Sequence, residues 1–291
     1  MTRIAHLSDI HFGANDLKIV DAATAWLEQN RPELVIISGD FTQRARVDQF
    51  RAASAWLNRL RHAGLRVLTV PGNHDVPLYD VVRRFVAPLA RYKRYIDNDL
   101  CPWFEGDDVA VLGVNTARSL TIKDGRINHD QMRMVRERFA AVAPAKTRVL
   151  VTHHPLFAMP IGQGGEVSEA VGQHQDAVRA MCEAGVHIAL AGHFHKTFAE
   201  AASKMVEHAG QALVIQAGTA TSTRLRNDEP QSFNWIHTQG SDRIELQIVF
   251  WDGASFRRGN HVLYAFDGAN WSRTDIDDGV LSPATKPIAA K

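Results

Sequence analysis

Short apolar runs rich in β-branched residues alternate with segments of helical periodicity over the first two thirds of the chain. The runs predict six strands: RIAHL, ELVIIS, LRVLTV, DVAVLGV, TRVLVT and VHIALA. Amphipathic segments between them predict helices at about 16–30, 47–63, 78–96, 129–142 and 169–184. Pro88 interrupts the third of these helices, because proline cannot donate the backbone hydrogen bond that a helix needs.

After residue 196 the pattern changes to alternating apolar and polar residues. ALVIQAG, SFNWIHTQ and RIELQIVFW read as antiparallel strands with no helix between them. The whole pattern predicts an α/β fold, a four-layer sandwich of two packed mixed β-sheets flanked by helices. We expect one domain over residues 1–275, with a candidate helical cap at 78–104. Residues 276–291, rich in Asp, Pro and Ala, are expected to form a disordered tail.

The charge balance narrows the class of partner. There are 33 Lys and Arg against 32 Asp and Glu, a net charge of +1, so no bulk field would recruit nucleic acid. No apolar stretch reaches the length of about 18 residues that suggests a membrane span, and the N-terminus begins directly in a strand-like run. Two cysteines make no disulfide framework. We expect a cytoplasmic protein, and leave peripheral membrane contact and a homodimer open.

Polar side chains follow five of the apolar runs at the point where each run ends. In an open α/β sheet, ligands bind at the carboxyl ends of the strands. The residues at these ends are Asp9 and His11, then Asp40, then Asn73, His74 and Asp75, then His153 and His154, and finally His193 and His195.

These residue types select a kind of metal site. Asp, Asn and His offer hard oxygens and borderline nitrogens without a thiolate, a set that suits Mn, Fe, Zn, Co or Ni. The Asp9/His11 and His193/His195 pairs have i, i+2 spacing, which places both members on one side of an extended chain. One such pair is a weak signal, and GNHD alone is typical of a turn. Five elements that all end this way predict a metal site.

The motifs resemble, in order and spacing, those of the calcineurin-like metallophosphoesterase family over residues 1 to about 200. They are Asp9-Ile10-His11, Gly39-Asp40, Gly72-Asn73-His74-Asp75, His153-His154-Pro155 and Gly192-His193-Phe194-His195. The HHP and GHFH forms are most similar to the bacterial cyclic-nucleotide and glycerophosphodiester phosphodiesterase branch.

The resemblance implies a centre of two metal ions. One ion would be held by Asp9, His11, Asp40 and His195, and the other by Asp40, Asn73, His153 and His193, with Asp40 bridging. A hydroxide between the metals would then attack phosphorus, and His74 would protonate the leaving oxygen as the general acid. His154 is expected to support the ligands rather than bind metal. Asp75 would either orient a neighbouring group or cap the loop.

Several polar residues are candidates for substrate binding. Arg44 lies in GDFTQRA, where Gln43 replaces the aspartate of the phosphoprotein phosphatase branch, so protein phosphatase activity is not expected. Asn115 and Arg118 lie in NTARSL, and Arg224 and Arg226 in AGTATSTRLRND. For Arg44 a solvated surface position is the alternative, and for Asn115 the alternative is that it only satisfies the turn. The basic and aromatic segment RRFVAPLARYKRY is either a cap over the substrate or an amphipathic helix pair with a solvated basic face.

The leading functional hypothesis is metal-dependent hydrolysis of a small phosphodiester, with a 3′,5′-cyclic nucleotide as the best single candidate. One alternative is a pyrophosphatase of the UDP-diacylglucosamine type, acting on a lipid precursor. A nuclease is disfavoured by the near-zero net charge. A catalytically inactive scaffold is the alternative of another class, and it would be expected to have lost ligands, whereas every ligand position here is filled.

Overall fold

The structure, a computed structural model, describes residues 1–119, 124–158, 171–206, 210–225 and 229–276. The predicted tail, apart from Ile276, therefore lies outside the described residues. Strands and helices alternate through the first two thirds of the chain, as the sequence pattern predicts. The strands are β1 (Thr2–Leu7), β2 (Leu34–Ser38), β3 (Val67–Val70), β4 (Trp103–Glu105), β5 (Val109–Gly113), β6 (Thr147–Val151), β7 (Ile188–Ala191), β8 (Phe198–Ala201), β9 (Leu213–Gln216), β10 (Ser232–Thr238), β11 (Arg243–Trp251), β12 (Phe256–Phe266) and β13 (Trp271–Ile276).

The helices lie between these strands. They are α1 (Leu17–Asn30), α2 (Val47–His62), α3 (Val81–Val86), α4 (Ala90–Tyr95), α5 (His129–Ala140), α6 (His174–Glu183) and α7 (Ala202–Met205), with a 3₁₀ turn at Asn73–Asp75. Local sequence explains several boundaries. Asp16 caps α1 by accepting from the Lys18 backbone N–H, and Asn128 and Gln131 form a reciprocal capping box at the start of α5. No helix among the described residues is long and apolar enough to cross a membrane.

The strands form two mixed sheets. The first has the order β13-β12-β11-β10-β1-β2-β3 and the second β4-β5-β6-β7-β9-β8. Within the first sheet β1, β2 and β3 are parallel, and within the second β5, β6, β7 and β9 are parallel. The parallel parts of both sheets therefore end at edges that can face each other.

Hydrophobic packing arranges these sheets in four layers. Along β2, Leu34 and Ile36 pack into a core that joins the inner faces of both sheets, with Val149 and Leu190 among the residues from the second sheet. The alternate residue Val35 packs on the other side, against α1 and α2. A third cluster joins α5 and α6 to the outer face of the second sheet. This period-two division is what a strand buried on both faces produces, and it confirms the predicted α/β sandwich.

The structure differs from the sequence prediction in several places. The strand β9 pairs parallel with β7 and antiparallel only with β8. Its four residues are all buried, as in a central parallel strand, so alternation could not identify its direction. A one-turn helix, α7, lies between β8 and β9, and the hairpin of β12 and β13 was not predicted. Among described residues, α6 begins at His174, later than the predicted residue 169.

Candidate metal centre

Side chains from both sheets meet at the carboxyl ends of the parallel strands. The loops after β1, β2 and β3 come from the first sheet, and those after β6 and β7 from the second. These loops bring together all seven residues for which the sequence suggests a ligand role, namely Asp9, His11, Asp40, Asn73, His153, His193 and His195.

Backbone strain is concentrated in the same loops. Eight non-glycine residues among those described have positive φ angles. Five of them belong to this group: Asp9, His11 and Asp40 at 54°, His193 at 80° and His195 at 58°. Such conformations are costly for residues with a Cβ atom and accumulate at functional sites. The chain therefore holds these side chains in place at the expense of local backbone stability.

Glycines allow the loops to approach each other closely. A Cβ atom on Gly72 would lie 2.0 Å from Oδ1 of Asp40, and one on Gly39 would lie 2.5 Å from Nδ1 of His153. A Cβ atom on Gly192 would lie 2.8 Å from Oδ2 of Asp9. Each of these glycines thus makes room for a neighbouring candidate ligand.

The first group of candidate ligands consists of Asp9, His11 and His195, all of them buried. The Nε2 atom of His195 lies 3.1 Å from Oδ1 of Asp9 and 3.2 Å from Nε2 of His11. The Nε2 atom of His11 lies 3.6 Å from the same oxygen of Asp9. Three donor atoms therefore face a common point.

The second group consists of Asn73, His153 and His193. The Oδ1 atom of Asn73 lies 3.1 Å from Nε2 of His153 and 3.2 Å from Nδ1 of His193. The Nδ1 atom of His153 lies 2.7 Å from the carbonyl oxygen of Ser38, and this contact directs its Nε2 atom into the site.

Asp40 lies between the two groups. Its Oδ2 atom is 3.7 Å from Nε2 of His11 in the first group and 3.4 Å from Nε2 of His153 in the second. Its Oδ1 atom accepts a hydrogen bond of 2.8 Å from the backbone N–H of His74. One carboxylate thus contacts both groups.

The donor set fits metal ions. One atom in the first group, Oδ1 of Asp9, which faces the common point, is buried without a hydrogen-bond partner in the described structure. Buried polar atoms are rarely left this way unless an ion or ligand satisfies them. Oxygen and imidazole donors without a thiolate suit several divalent metals. The site is therefore a metal-binding site by its chemistry.

The histidines of the site stabilise the ionised forms of the two neighbouring carboxylates. Burial alone would raise the pKa of Asp9, but the charges and hydrogen bonds of His195 and His11 hold it well below its usual range. Burial would likewise raise the pKa of Asp40, yet the charge of His153 and its neighbours holds it below its ordinary value. For His153, burial is outweighed by Asp40, which raises the pKa to about 9. Both carboxylates are thus held in their ionised form.

The pKa of His193 is shifted in the opposite direction to that of His153. Burial and the adjacent charge of His153 lower its pKa to about 3. The imidazole is therefore neutral near pH 7 and has a lone pair available for coordination.

His74 lies beside the candidate ligands, with its ring 4.9 Å from that of His11 between centroids. Its Nδ1 atom is 2.8 Å from the backbone carbonyl oxygen of Gln43, so the Nδ1–H group donates there. The other ring nitrogen, Nε2, is then available to exchange a proton with a bound molecule. The backbone N–H of His74 is fixed on Asp40, which sets the distance of the ring from the site.

Asp75 connects the loop after β3 to the loop after β2. Its carboxylate accepts from the backbone N–H groups of Phe41 at 3.2 Å, Thr42 at 3.0 Å and Gly72 at 3.0 Å, and from the Thr42 hydroxyl at 3.1 Å. Burial and the charge of Asp40 raise its pKa to about 7. The carboxylate holds the Asp40 loop against the Asn73 loop.

His154 is buried next to the second group. Its Nδ1 atom lies 2.8 Å from Oγ1 of Thr116, and its ring is 4.7 Å from that of His193. Its ring nitrogens lie close enough to those of His153 and His193 for the three to form a possible metal group. The expectation that His154 only supports the ligands stays a prediction.

A cavity of about 620 Å³ opens over the site, and we call it the catalytic cavity. Asp40, Asn73, His74, His193 and His195 line its polar side. An apolar side is formed by Leu78, Tyr79, Phe194 and Leu225. Arg44, Arg84 and Arg224 also line it, together with Gln43, Val76 and Asp124, so the cavity offers cationic and apolar contacts around the candidate ligands.

The remaining predicted substrate residues lie elsewhere. Arg118 donates to the carbonyl oxygens of Asn115 and Ala117 and to the side chain of Gln131, which also donates to Asn115. These bonds hold the loop after β5, and neither Asn115 nor Arg118 is among the described lining residues of the catalytic cavity. A role for them in substrate binding stays a prediction. Arg226 lies outside the described residues.

Some supporting residues were missed by sequence reasoning. Ser8 donates to Oδ2 of Asp9 at 2.6 Å, and Thr219 donates to the Asp9 carbonyl oxygen at 2.7 Å. The carbonyl oxygen of Arg224 accepts from Nδ1 of His195 at 3.1 Å. Ser8 directly precedes Asp9, but only the packing of the two sheets brings Thr219 and Arg224 to the site.

Comparisons with known proteins agree with this geometry. A family model described as calcineurin-like phosphoesterase matches residues 2–197. The chain is 23% identical over 245 residues to a probable cyclic nucleotide phosphodiesterase from Synechococcus, a match that covers 79% of this chain and 82% of the relative. It is 32% identical over 83 residues to a glycerophosphodiester phosphodiesterase from Enterobacter lignolyticus, which covers 25% of this chain and 29% of that protein.

Solved structures show the same fold. A purple acid phosphatase from yellow lupin superposes with a TM-score of 0.67 at 12% identity, covering 88% of this chain and about half, 52%, of the lupin chain. A dimetal phosphatase from Danio rerio superposes with a TM-score of 0.59 at 14% identity, covering 84% of this chain and 95% of that one. At these identities the likeness concerns the fold.

Proposed function

Because the chain belongs to the calcineurin-like phosphoesterase family and is a metal-dependent phosphoesterase, we propose that it hydrolyses a small-molecule phosphodiester, with a 3′,5′-cyclic nucleotide as the first candidate. The observation that carries the proposal is the convergence of seven donor side chains into two groups that share Asp40. The name of the Synechococcus relative, which matches over most of both chains, supports the choice of substrate.

We assign one metal ion to each group. Asp9, His11 and His195 would hold the first ion, Asn73, His153 and His193 the second, and the Asp40 carboxylate would reach both. When bound, such ions supply Lewis-acid activation of water and neutralise charge on phosphate oxygens.

His74 supplies the proton for the leaving group. Its Nδ1–H group is engaged by the Gln43 carbonyl oxygen, so Nε2 is the atom that delivers a proton to the departing oxygen. The backbone bond to Asp40 keeps the ring beside the reacting phosphate. Protonation of the leaving oxygen is required when that oxygen belongs to a sugar, because an alkoxide is a poor leaving group.

The cavity lining would position the rest of the substrate. Tyr79 and Phe194 offer aromatic surface that suits the ring of a nucleobase. The guanidinium of Arg44 lies 5.6 Å from the centre of the Tyr79 ring, which places positive charge beside this surface.

One observation favours a second candidate, a pyrophosphatase on a nucleotide-linked lipid. The segment 78–86 exposes six large apolar side chains beside the cavity mouth, between 40% and 79% of their surface: Leu78, Tyr79, Val81, Val82, Phe85 and Val86. Exposed apolar surface of this kind marks interaction sites, and an acyl chain is one partner that would cover it.

The experiment is a comparison of kcat/KM on metal-reconstituted enzyme. The panel contains cyclic AMP, a glycerophosphodiester, a nucleotide-linked diacyl sugar, bis-p-nitrophenyl phosphate and p-nitrophenyl phosphate. We expect diesters to exceed the monoester and cyclic AMP to lead. A monoester preference of about tenfold, or 1.36 kcal/mol in transition-state binding, would contradict diesterase function. A preference for the lipid-linked nucleotide would select the second candidate.

A further inference from the structure

A second cavity of about 420 Å³ adjoins the catalytic cavity, and we call it the arginine cavity. Its lining includes three arginines and no acidic residue among the described part of the chain. The two cavities share the side chains of Gln43, Arg44 and Arg224 as a common wall. Arg46 lines only the arginine cavity. The arginine cavity therefore lies directly beside the cavity over the metal centre.

The three arginines of this cavity have no ion pair with a carboxylate in the described ranges. Other surface arginines do, as Arg59 pairs with Asp21 at 2.7 Å and Arg83 with Asp80 at 3.0 Å. With a net charge of only +1 for the chain, this concentration of positive charge is a local feature. Its charges are available to an anion from outside.

The backbone directs the arginines toward the cavity at a cost. Ala45, between Arg44 and Arg46, is buried and has a φ of 49°. It is held there by a bond from its N–H to Oγ1 of Thr42 at 3.0 Å and by Arg91, which donates to its carbonyl oxygen at 2.8 Å. A strained alanine kept in place by one bond within its loop and one from a distant residue is a feature expected of a functional loop.

Arg46 occupies an electrostatically unfavourable position. It is the N-cap residue of α2, a helix of 16 residues. Helix N-termini carry partial positive charge and favour Ser, Thr, Asp or Asn at this position. An arginine there adds to the positive charge, and an anion in the cavity would compensate both.

Backbone contacts connect the loops of the arginine cavity to the candidate catalytic groups. Arg44 directly follows Gln43, whose carbonyl oxygen accepts from His74. The carbonyl oxygen of Arg224 accepts from the candidate ligand His195. These contacts fix the backbone of Arg44 and Arg224 relative to the candidate catalytic groups, which is what a substrate-binding subsite requires.

We propose that the arginine cavity is a subsite for a second phosphate group, carried by the non-reacting part of the substrate. The chemistry favours phosphate because a cavity lined by three arginines offers several guanidinium N–H groups, and a tetrahedral phosphate has more oxygens to accept from them than a carboxylate has. The substrate class is then a phosphodiester with a further phosphate group. This inference rests on the proposed diesterase function of the neighbouring site.

The test uses p-nitrophenyl diesters whose other ester group is a flexible ω-hydroxyalkyl chain, in several lengths, each with and without a terminal phosphate. The leaving group is the same throughout, so a difference reports binding of the terminal phosphate. We expect the phosphate to raise kcat/KM of the metal-loaded enzyme by about tenfold at the best chain length, the lower end of the effect of a charge-assisted hydrogen bond.

Two variants localise the effect. Arg46→Gln should remove most of the gain while leaving kcat/KM for the unphosphorylated diester unchanged, because Arg46 does not line the catalytic cavity. Arg51→Gln is the matched control, an exposed arginine on the same helix outside both cavities, and should keep the gain. Thermal unfolding of each variant checks that the fold is intact.

The outcomes separate this inference from the proposed function. If the unphosphorylated diesters are hydrolysed but no chain length gains more than about twofold from the phosphate, the subsite is excluded. A gain that survives Arg46→Gln, or that Arg51→Gln abolishes equally, also overturns it. Absence of activity on every diester would instead contradict the proposed diesterase function.

Discussion

The Nε2 atoms of His11 and His195 lie 3.2 Å apart, although 184 residues separate the two histidines in the chain. Two neutral imidazoles can share one proton at this distance, but both rings also face the Asp9 carboxylate. A cation between the three groups would accept one lone pair from each of the three facing atoms. Because of this arrangement, the number of metal ions bound per chain is the first property to measure.

We expect metal-reconstituted protein to hold two ions per chain, and Asp40→Asn to weaken both sites because the Asp40 carboxylate contacts both groups of ligands. Elemental analysis of protein freed of unbound metal measures the content. Asp21→Asn, an exposed aspartate paired with Arg59, is the control and should bind like the wild type. One ion or fewer in the wild type, or full occupancy in Asp40→Asn, would contradict a dinuclear centre bridged by Asp40.

His74→Ala should slow the reaction according to the leaving group. A p-nitrophenolate departs without a proton, whereas a sugar alkoxide needs one, and general acid catalysis is typically worth ~10²–10⁴ in rate. We therefore expect a large loss of kcat on a cyclic nucleotide and a small loss on bis-p-nitrophenyl phosphate, with metal content unchanged. Equal losses on both substrates would mean that His74 positions the phosphate or the nucleophile.

Asp75→Asn tests the connection between the Asp40 and Asn73 loops. Every group that contacts the Asp75 carboxylate in the four bonds described is a donor, so an amide NH₂ in its place would oppose a donor. A buried donor left unpaired costs about 1–3 kcal/mol, and we expect a loss of about 2–4 kcal/mol in the free energy of unfolding, with weaker metal binding. Urea denaturation measures the first and metal titration the second.

Asp99→Asn is the control for this substitution. Its carboxylate accepts from the Cys101 backbone N–H at an exposed position, where water can replace the bond. Unfolding free energies that fall equally in both variants would show that the effect at Asp75 is not specific to the buried connection.

The convergence of the loops that carry the candidate ligands could be predicted from the sequence because the positions of these loops follow from local rules. Apolar runs show where the strands end, and residues after parallel strands meet at one edge of a sheet. Thus Asp9, Asp40 and Asn73 could be placed near each other without knowing the topology. The fold class followed from the same alternation.

Other features depend on tertiary contacts that no local pattern encodes. The direction of β9 was missed because all four of its residues are buried, so its sequence has no alternation to read. The contact of Arg224 with His195 depends on how the two sheets pack. The arginine cavity likewise joins the loop after β2 to a loop almost 200 residues later, and arginines at surface positions have no signal that distinguishes them from solvated ones.

Stability should depend on pH through His6, which is fully buried between Ser38 and Asn234. Burial lowers its pKa to about 3 from the ordinary 6.5, so the unfolded chain takes up a proton that the folded chain refuses. The free energy of unfolding should therefore fall as pH decreases from 6.5 toward 3, by about 1.4 kcal/mol per pH unit for this group.

His6→Gln removes the imidazole that takes up this proton and keeps an amide that can form a hydrogen bond with Ser38. Between about pH 6 and 4 its stability should fall less steeply than that of the wild type, by the contribution of one proton. Urea denaturation at a series of pH values, on proteins with the same metal content, gives both slopes. Parallel slopes would show that His6 is protonated in the folded protein as well.

Gly72→Ala should disrupt the metal centre through steric contact alone. Gly72 has a φ of −104°, which alanine adopts without strain, but a Cβ atom there would lie 2.0 Å from Oδ1 and 2.4 Å from the backbone nitrogen of Asp40. Relieving this contact must displace the Asp40 carboxylate, which contacts both groups of candidate ligands. We also expect the overpacking to lower the free energy of unfolding by about 1–3 kcal/mol.

Gly106→Ala is the matched control, since its Cβ atom would come no nearer than 3.4 Å to a neighbour. Metal titration and the diesterase assay should show a loss in Gly72→Ala and none in Gly106→Ala. Wild-type metal affinity in Gly72→Ala would mean that the Asp40 carboxylate can move without cost, and that its position between the two groups is not what holds the metals.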